Sequence, residues 1–589
     1  MMNVKRLVRF HSSFIIHHSA FLIERRCIVE RLKRKPFLFA VGAAALVLWL
    51  AALQFARPSK AESPRLERYL PADAVGFVEV NDLRAQALKV IDSEAWREFT
   101  KENQAASSLF MMAANHAGAL DASYAVALLG VGAGAEGRPE PQFALVAEFS
   151  GAAARRTFEN RVLRFAREAQ EKGVTTKAEQ YGEATINSVT PEGKHGFAYA
   201  QAGDTLYLSN AGEAVKRLLD VRAGKLPSLE TSQTFAQARA RSKSVDGMFG
   251  FLDGARLTAL VDNAPAGADD KGLAAFRQFF HGTGASSVES VAFTSAFEDG
   301  RVAERFFVTA PRREGVLATV ASNPPTQGEL LSLVPEDAVA AFDASIANAP
   351  QTFDQMVSLA GQVAEQTGRK SPADALAEFT DKTGVDLRGD LLGSLGPEFC
   401  VAQLRSGEGE GGVLILGVRD EAAFAGALAK FAAHKQRATS ERVYKGVTVR
   451  HIEGEKGHGL EYAFVGGSFV ASGKPWAVER VIDAAQGGAS LRSGAAYRAA
   501  SAQVAGPAQF VYYNSNVDYL NRLGHALKSS DDTFKAEGQR AALRPSFAYG
   551  LAQPEGFYVE SRTPLGAFPR LLKAVTSKMG TEKKEGGAE

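Results

Sequence analysis

Apolar residues along this chain switch repeatedly between two spacings. Residues 124–129, 143–149, 399–404 and 413–418 are short, nearly continuous apolar runs bounded by polar or glycine-rich stretches, which predicts buried strands. Between such runs the period lengthens. Phe158, Val162, Phe165 and Ala166 make one helical face, and Phe424, Leu428, Phe431 and Ala432 repeat its spacing. Val215, Leu218 and Leu219, and again Val478, Val481 and Ile482, recur at i, i+3, i+4 and predict two further helices. Adjacent strands joined by hairpin-length loops, with helices between the groups, predict an α+β fold. Its sheets should be mostly antiparallel, with helices on one face.

One apolar run is of another kind. It begins at Phe37, ends at Leu53 and carries no charge, and Gln54, Phe55 and Ala56 complete a last turn. In hydrocarbon every backbone polar group must be satisfied within the segment, so this run is viable there as a single transmembrane helix. Lys33, Arg34 and Lys35 directly precede it and should stay in the cytoplasm, while Trp49 suits the far membrane boundary. The pattern predicts a single-pass protein of the cytoplasmic (inner) membrane, with its N-terminus inside and the chain beyond Arg57 in the periplasm. A cleaved signal peptide is the competing reading, with Ser59-Lys60-Ala61 as a small-x-small site. The apolar core of a signal peptide usually runs about 7–15 residues, so the longer run favours a retained anchor. Upstream, His11-Ser12-Ser13-Phe14-Ile15-Ile16 recurs as His18-Ser19-Ala20-Phe21-Leu22-Ile23, which reads as translated repeat. Val29 is then the expected start.

The exported region repeats itself about 264 residues on. Leu70-Pro71-Ala72-Asp73-Ala74-Val75 returns as Val334-Pro335-Glu336-Asp337-Ala338-Val339, each leading into a short apolar run that ends in an acid, Glu79 or Asp343. Tyr199, Gly203, Arg217 and Asp220 correspond without a gap to Tyr462, Gly466, Arg480 and Asp483. The expected organisation is a cytoplasmic segment over 1–35, an anchor over 36–56, a linker over 57–67 and a first lobe over 68–311. A second linker over 312–329 carries Ser322-Asn323-Pro324-Pro325, a second lobe covers 330–567, and 568–589 ends in a charged, glycine-rich tail expected to be disordered.

The opening of the first lobe, from Tyr69-Leu70-Pro71-Ala72-Asp73 through Gly76-Phe77-Val78-Glu79-Val80, resembles that of the bacterial exported proteins grouped as domain of unknown function 3352. The resemblance extends to the general layout: basic flank, single anchor, Leu-Pro-Ala-Asp strand, long α+β region. It implies a cell-envelope location and supplies no catalytic residues.

Composition narrows the function classes. With 46% hydrophobic and 23% charged residues the chain is ordinary globular material. A formal net charge of +2 argues against general nucleic-acid binding. Cys27 and Cys400 lie on opposite sides of the expected membrane, so no disulfide is expected. Cys400, between Phe399 and Val401, reads as buried packing.

The candidate chemistry is thin. Gly132-Ala133-Gly134-Ala135-Glu136-Gly137 and Gly407-Glu408-Gly409-Glu410-Gly411-Gly412 both spell GxGxxG, yet each lies between two strands instead of opening a helix, so both are expected to be hairpins and no nucleotide or other cofactor is expected. His195 and His458 recur at matching places but lack a His, Cys or Asp at metal-ligand spacing. Arg155, Arg161 and Arg164 lie away from the Phe158/Phe165 face and could dock on anionic lipid, although Glu159 and Glu168 neutralise part of that charge. Hydrolase and Walker strings are missing. The expected function is non-catalytic binding or scaffolding in the cell envelope, with the bilayer and an envelope protein as partners. The alternatives are an exported hydrolase assembled from distant residues and an envelope lipid carrier.

Overall fold

Twenty strands form one antiparallel sheet in the computed structural model. It describes residues 65–103, 122–133, 139–156, 159–160, 175–190, 196–242, 247–264, 271–454, 459–504, 506–527 and 543–566. The first half supplies β1 (Gly76–Val80), β2 (Ala122–Ala133), β3 (Pro139–Phe149), β4 (Thr175–Tyr181) and β5 (Ala184–Thr190). It continues with β6 (Phe197–Ala202), β7 (Thr205–Ser209), β8 (Met248–Asp253), β9 (Ser290–Glu298) and β10 (Arg301–Thr309). The second half supplies β11 (Ala340–Ser345), β12 (Leu395–Ser406), β13 (Gly409–Val418), β14 (Thr439–Tyr444) and β15 (Val447–Ile452). It ends with β16 (Leu460–Val465), β17 (Ser468–Ser472), β18 (Phe510–Asn514), β19 (Ser546–Gln553) and β20 (Gly556–Thr563). The helices used below are α1 (Glu94–Glu102), α2 (Gly212–Arg222), α3 (Gln233–Arg241), α4 (Lys271–Gly282) and α5 (Ala349–Thr367). After them come α6 (Pro372–Thr383), α7 (Glu421–His434), α8 (Pro475–Ala485), α9 (Ala495–Ser501) and α10 (Tyr519–Leu527).

The spatial order is a palindrome. The first half reads β4-β5-β6-β7-β3-β2-β1-β8-β9-β10. The second half reads β14-β15-β16-β17-β13-β12-β11-β18-β19-β20. Their last strands, β10 and β20, pair antiparallel and close the two halves into one sheet. Register is kept as well as order. Tyr199 faces Leu208 and its counterpart Tyr462 faces Ala471; Glu79 faces Ala125 and its counterpart Asp343 faces Cys400.

Packing between the halves is reciprocal, as in a two-fold dimer interface. Helix α1 of the first half puts Trp96 and Phe99 against Leu520 and Leu523 of α10. Helix α4 of the first half in turn packs on α5 of the second. At that crossing a Cβ on Gly282 would lie 2.3 Å from the Leu359 side chain, so glycine sets how closely the two helices approach.

Helices cover both faces of the sheet, which corrects the expectation of one. In the second half Cys400, Ile415, Val470 and Ala463 bury against Val478 and Ile482 of α8. On the opposite face Tyr462 and Phe469 bury against Phe424 of α7. Strand β17 is buried at every position, and a strand that is apolar on both sides needs a layer on each. Among the described residues no helix is long and apolar enough to cross a membrane. The 37–56 run, Phe158 and the charged tail lie outside the described residues.

Candidate functional site

Several residues repeated between the halves hold the fold together. Arg217 Nη2 on α2 donates to Asp73 Oδ1 at 2.6 Å, and Arg480 on α8 makes the same bond to Asp337. Tyr181 Oη donates to Asp220 Oδ2 at 2.8 Å, pinning the β4–β5 hairpin to α2. Tyr444 Oη does the same with Asp483 Oδ1 at 3.2 Å. The Leu-Pro-x-Asp motif is thus a clamp: its proline bridges to Ser228 or Ser490, and its acid reaches the helix. These pairs are partly exposed, so Arg217→Ala should cost no more than about 1 kcal/mol in urea denaturation. A loss of activity or partner binding with unchanged stability would instead mark Arg217 as functional.

The acids carried within β1 and β11 are different. Glu79 and Asp343 are wholly buried on the core face of the sheet. They belong to one transverse row of directly opposed residues: Glu79, Phe249, Thr294, Arg305, then Glu560, Tyr549, Val511 and Asp343. Each member has its counterpart at the same distance from the centre. The centre is therefore Arg305 opposite Glu560, two equivalent positions that meet each other.

Neither Glu79 oxygen makes a hydrogen bond of good geometry, although Arg239 Nη1 of α3 lies 2.9 Å from Oε1. Burial, then the neighbouring Glu67, pushes the Glu79 carboxyl up to about 7, against the pull of Arg239 and the Leu66 N–H. Glu67 is itself buried, with Oε2 unpartnered, so a second acid lies beside Glu79. Asp343 Oδ2 accepts from Thr326 Oγ1 at 2.5 Å, while Oδ1 has no partner. Burial pushes Asp343 up to about 7 as well. Sequence reading noted both acids as strand ends but did not place them among site residues; the available signal was an acid closing an apolar run in both copies.

The residues singled out in the sequence do not converge. Arg155 Nη1 bonds Asp204 Oδ1 at 2.7 Å and its Nε lies 3.3 Å from Glu159, so its charge is already matched. Arg161, Arg164, His195 and His458 lie outside the described residues. His451 Nδ1 is 3.0 Å from Glu461 Oε1, its direct neighbour across β15 and β16. The second GxGxxG string forms a hairpin: Ser406 pairs Gly409 across a two-residue turn, and β13 follows it. The first string straddles β2 and β3, which pair up to Ala133 and Pro139. Cys400 is enclosed, and burial pushes its thiol up, the opposite of what a nucleophile needs. No group of three or more His, Cys, Asp or Glu arranged for a metal occurs among the described residues.

A cleft of about 360 Å³ lies between α5, α6 and the turn after them. Phe353, Val357, Leu376 and Leu387 form its apolar part, and Arg388 bridges to Asp354 at its rim with Nε–Oδ1 2.7 Å. This volume is within the range of small-ligand pockets.

Residues 306–544 match the family model described as "Protein of unknown function (DUF3352)". This is the family that the Leu-Pro-Ala-Asp opening resembles. No curated protein matches the chain. A solved structure titled "Structure of crystal form III of TP0453" aligns at 10% identity and a TM-score of 0.22, over 43% of this chain and 83% of that one. At that score the likeness carries no argument.

Proposed function

We propose, from the premise that residues 306–544 are DUF3352 sequence, a membrane-anchored extracytoplasmic protein that binds or scaffolds through its duplicated body. The observation that carries this reading is how the repeated polar residues are used. Asp73, Asp337, Arg217, Arg480, Asp220 and Asp483 are paired within the fold, so what the duplication maintains is a platform. The charge-free run from Phe37 to Ala56 behind Lys33, Arg34 and Lys35 supplies the tether.

The hydrolase alternative needs an acid or histidine with a partner in an open cleft. Glu79 and Asp343 are closed off from solvent and sit seven strand spacings apart in the row, about 34 Å at the usual spacing. The lipid-carrier alternative would begin at the Asp354–Arg388 cleft. Docking on anionic lipid rests on Arg161 and Arg164, since Arg155 is matched by Asp204 and Glu159.

Two measurements test the reading. Membranes washed with alkaline carbonate should retain the chain, and a periplasmic reporter fused after Lys60 should be active; release at a mass fitting cleavage near Ala61 overturns the tether. In-cell crosslinking from the exported body should give a discrete envelope-protein adduct. Turnover of ester, phosphate or glycoside substrates, lost on changing Asp354 or Arg388, would replace scaffolding by catalysis.

A further inference from the structure

Glu79 and Asp343 each lie beneath the segment through which the chain enters its half of the sheet. In the first half that segment is the turn Leu66–Tyr69. Leu66 is fully buried, its N–H faces the Glu79 carboxyl, and Glu67 lies alongside. In the second half it is the stretch 326–332, ending in the equivalent turn Leu330–Ser332. Thr326 Oγ1 donates to Asp343, accepts from the Gly328 N–H at 3.0 Å, and the Thr326 N–H bonds Ala508 O at 2.8 Å. The same geometry therefore occurs twice: a buried strand acid, covered by a leading segment, with at least one oxygen that no donor satisfies.

We propose that Glu79 and Asp343 are equivalent proton-operated latches, each holding the leading segment of its half closed while protonated and loosening it when ionised. The physical reason is that a buried carboxylate without adequate donors can lower its energy in only two ways, by keeping a proton or by admitting water. Water reaches either acid most directly by lifting the segment that covers it.

The surrounding charges set how far each latch moves. Around Glu79 they are Arg239 of α3 and Glu67 of the turn itself. Arg239 is the cation bridged to Glu79, and Glu67 is the like charge beside it. Arg239 stacks on the Phe249 ring at 4.1 Å, which keeps it in place in both states. Around Asp343 they are Glu398 and Cys400 of β12, Arg492, and Tyr497 of α9. Glu398 holds the same stretch by accepting from the Gln327 N–H at 2.5 Å and the Glu329 N–H at 3.2 Å. The second latch therefore opens at Thr326 and stays attached at Glu398, and the first stays attached at Glu148 of β3, which accepts from Arg68 Nη2 at 2.6 Å and from Tyr69 Oη at 3.2 Å. The proposal goes beyond the scaffolding reading and does not depend on it.

Hydrogen–deuterium exchange on the full chain, normalised for intrinsic rates, reads both latches. Between about pH 6 and about pH 8.5, protection in peptides covering 65–70 and 326–333 should fall by about tenfold or more, the equivalent of one unit of proton affinity. Peptides of the central strands should hold constant. Glu79→Gln should abolish the change at 65–70 only, and Asp343→Asn at 326–333 only. PH dependence that survives these substitutions, or protection that rises with pH, overturns the proposal. Should either variant fail to fold, infrared titration of the unsubstituted chain decides. Buried protonated carboxyl signal at about pH 6 that disappears by about pH 8.5 supports the latches, and its absence at about pH 6 refutes them.

Discussion

Replacing Arg305 with alanine should lower the unfolding free energy by about 3 kcal/mol, because a largely buried ion pair broken on one side leaves charge behind. Arg305 donates to Glu298 through both terminal nitrogens, at 2.6 and 2.7 Å, and Nη2 reaches Glu560 Oε1 at 3.4 Å. Only 15% of its side chain and 9% of that of Glu560 meet solvent, so water cannot replace the lost partner. Burial works against ionised Glu560, yet Tyr558, Arg305 and Arg562 together hold its carboxyl below the usual range. Arg562 remains 3.0 Å from Glu560 and 3.4 Å from Glu298, and softens the loss without removing it.

The position matters because the two equivalent strands meet there. In a dimer of identical lobes the same residue would face itself, arginine on arginine or glutamate on glutamate. Arg305→Glu should therefore cost more than Arg305→Ala, and adding Glu560→Arg should recover part of the difference. A double-mutant cycle in urea gives the coupling directly. An Arg305→Ala loss below about 0.5 kcal/mol would show that the seam is held by its backbone ladder alone.

Stability should fall as pH rises from about 4 to about 7, the reverse of a protein held by exposed carboxylates. Burial raises Glu79 and Asp343 to about 7 in the fold, from ordinary values of 4.5 and 3.8. Between those limits the native state keeps protons that the unfolded chain has released, so each unit of pH costs stability. The contribution is complete below the unfolded values and gone above about 7, roughly 3 kcal/mol for Glu79 and roughly 4 kcal/mol for Asp343. Glu298 and Glu560 act oppositely: their depressed carboxyls contribute above the ordinary glutamate range, and that part is lost in acid. The two trends place the maximum near about pH 4. Urea midpoints at several pH values test the slope. Asp343→Asn is the cleaner substitution, since Glu79→Gln also disturbs the 2.9 Å contact with Arg239. A slope unchanged in Asp343→Asn would assign the pH dependence elsewhere.

Much of the architecture was legible because it depends on neighbours in the chain. Val215, Leu218 and Leu219 sit on one side of any helix they form, and all three are buried on α2, as Val478, Val481 and Ile482 are on α8. The glycines of 407–412 lie between two apolar runs, and a two-residue turn is the shortest way to pair them. The duplication was legible as identities at a constant offset. The helices on the second face were not, since a short apolar run has the same composition whether one or both of its sides are covered.

What the sequence determined by itself is local: which stretches are strands or helices, where turns fall, that the body is doubled, and that a charge-free run follows a basic cluster. These depend on dihedral preference and on spacing of two or of three to four residues. Tertiary structure alone decided that β10 pairs with β20, that Arg305 meets Glu560, and that Glu79 and Asp343 share one row beneath their leading segments. Strand pairing across some 250 residues leaves no local periodicity, because backbone groups that any residue carries make its hydrogen bonds. The environment of a side chain, and with it the chemistry open to an acid, follows only once those distant strands have met.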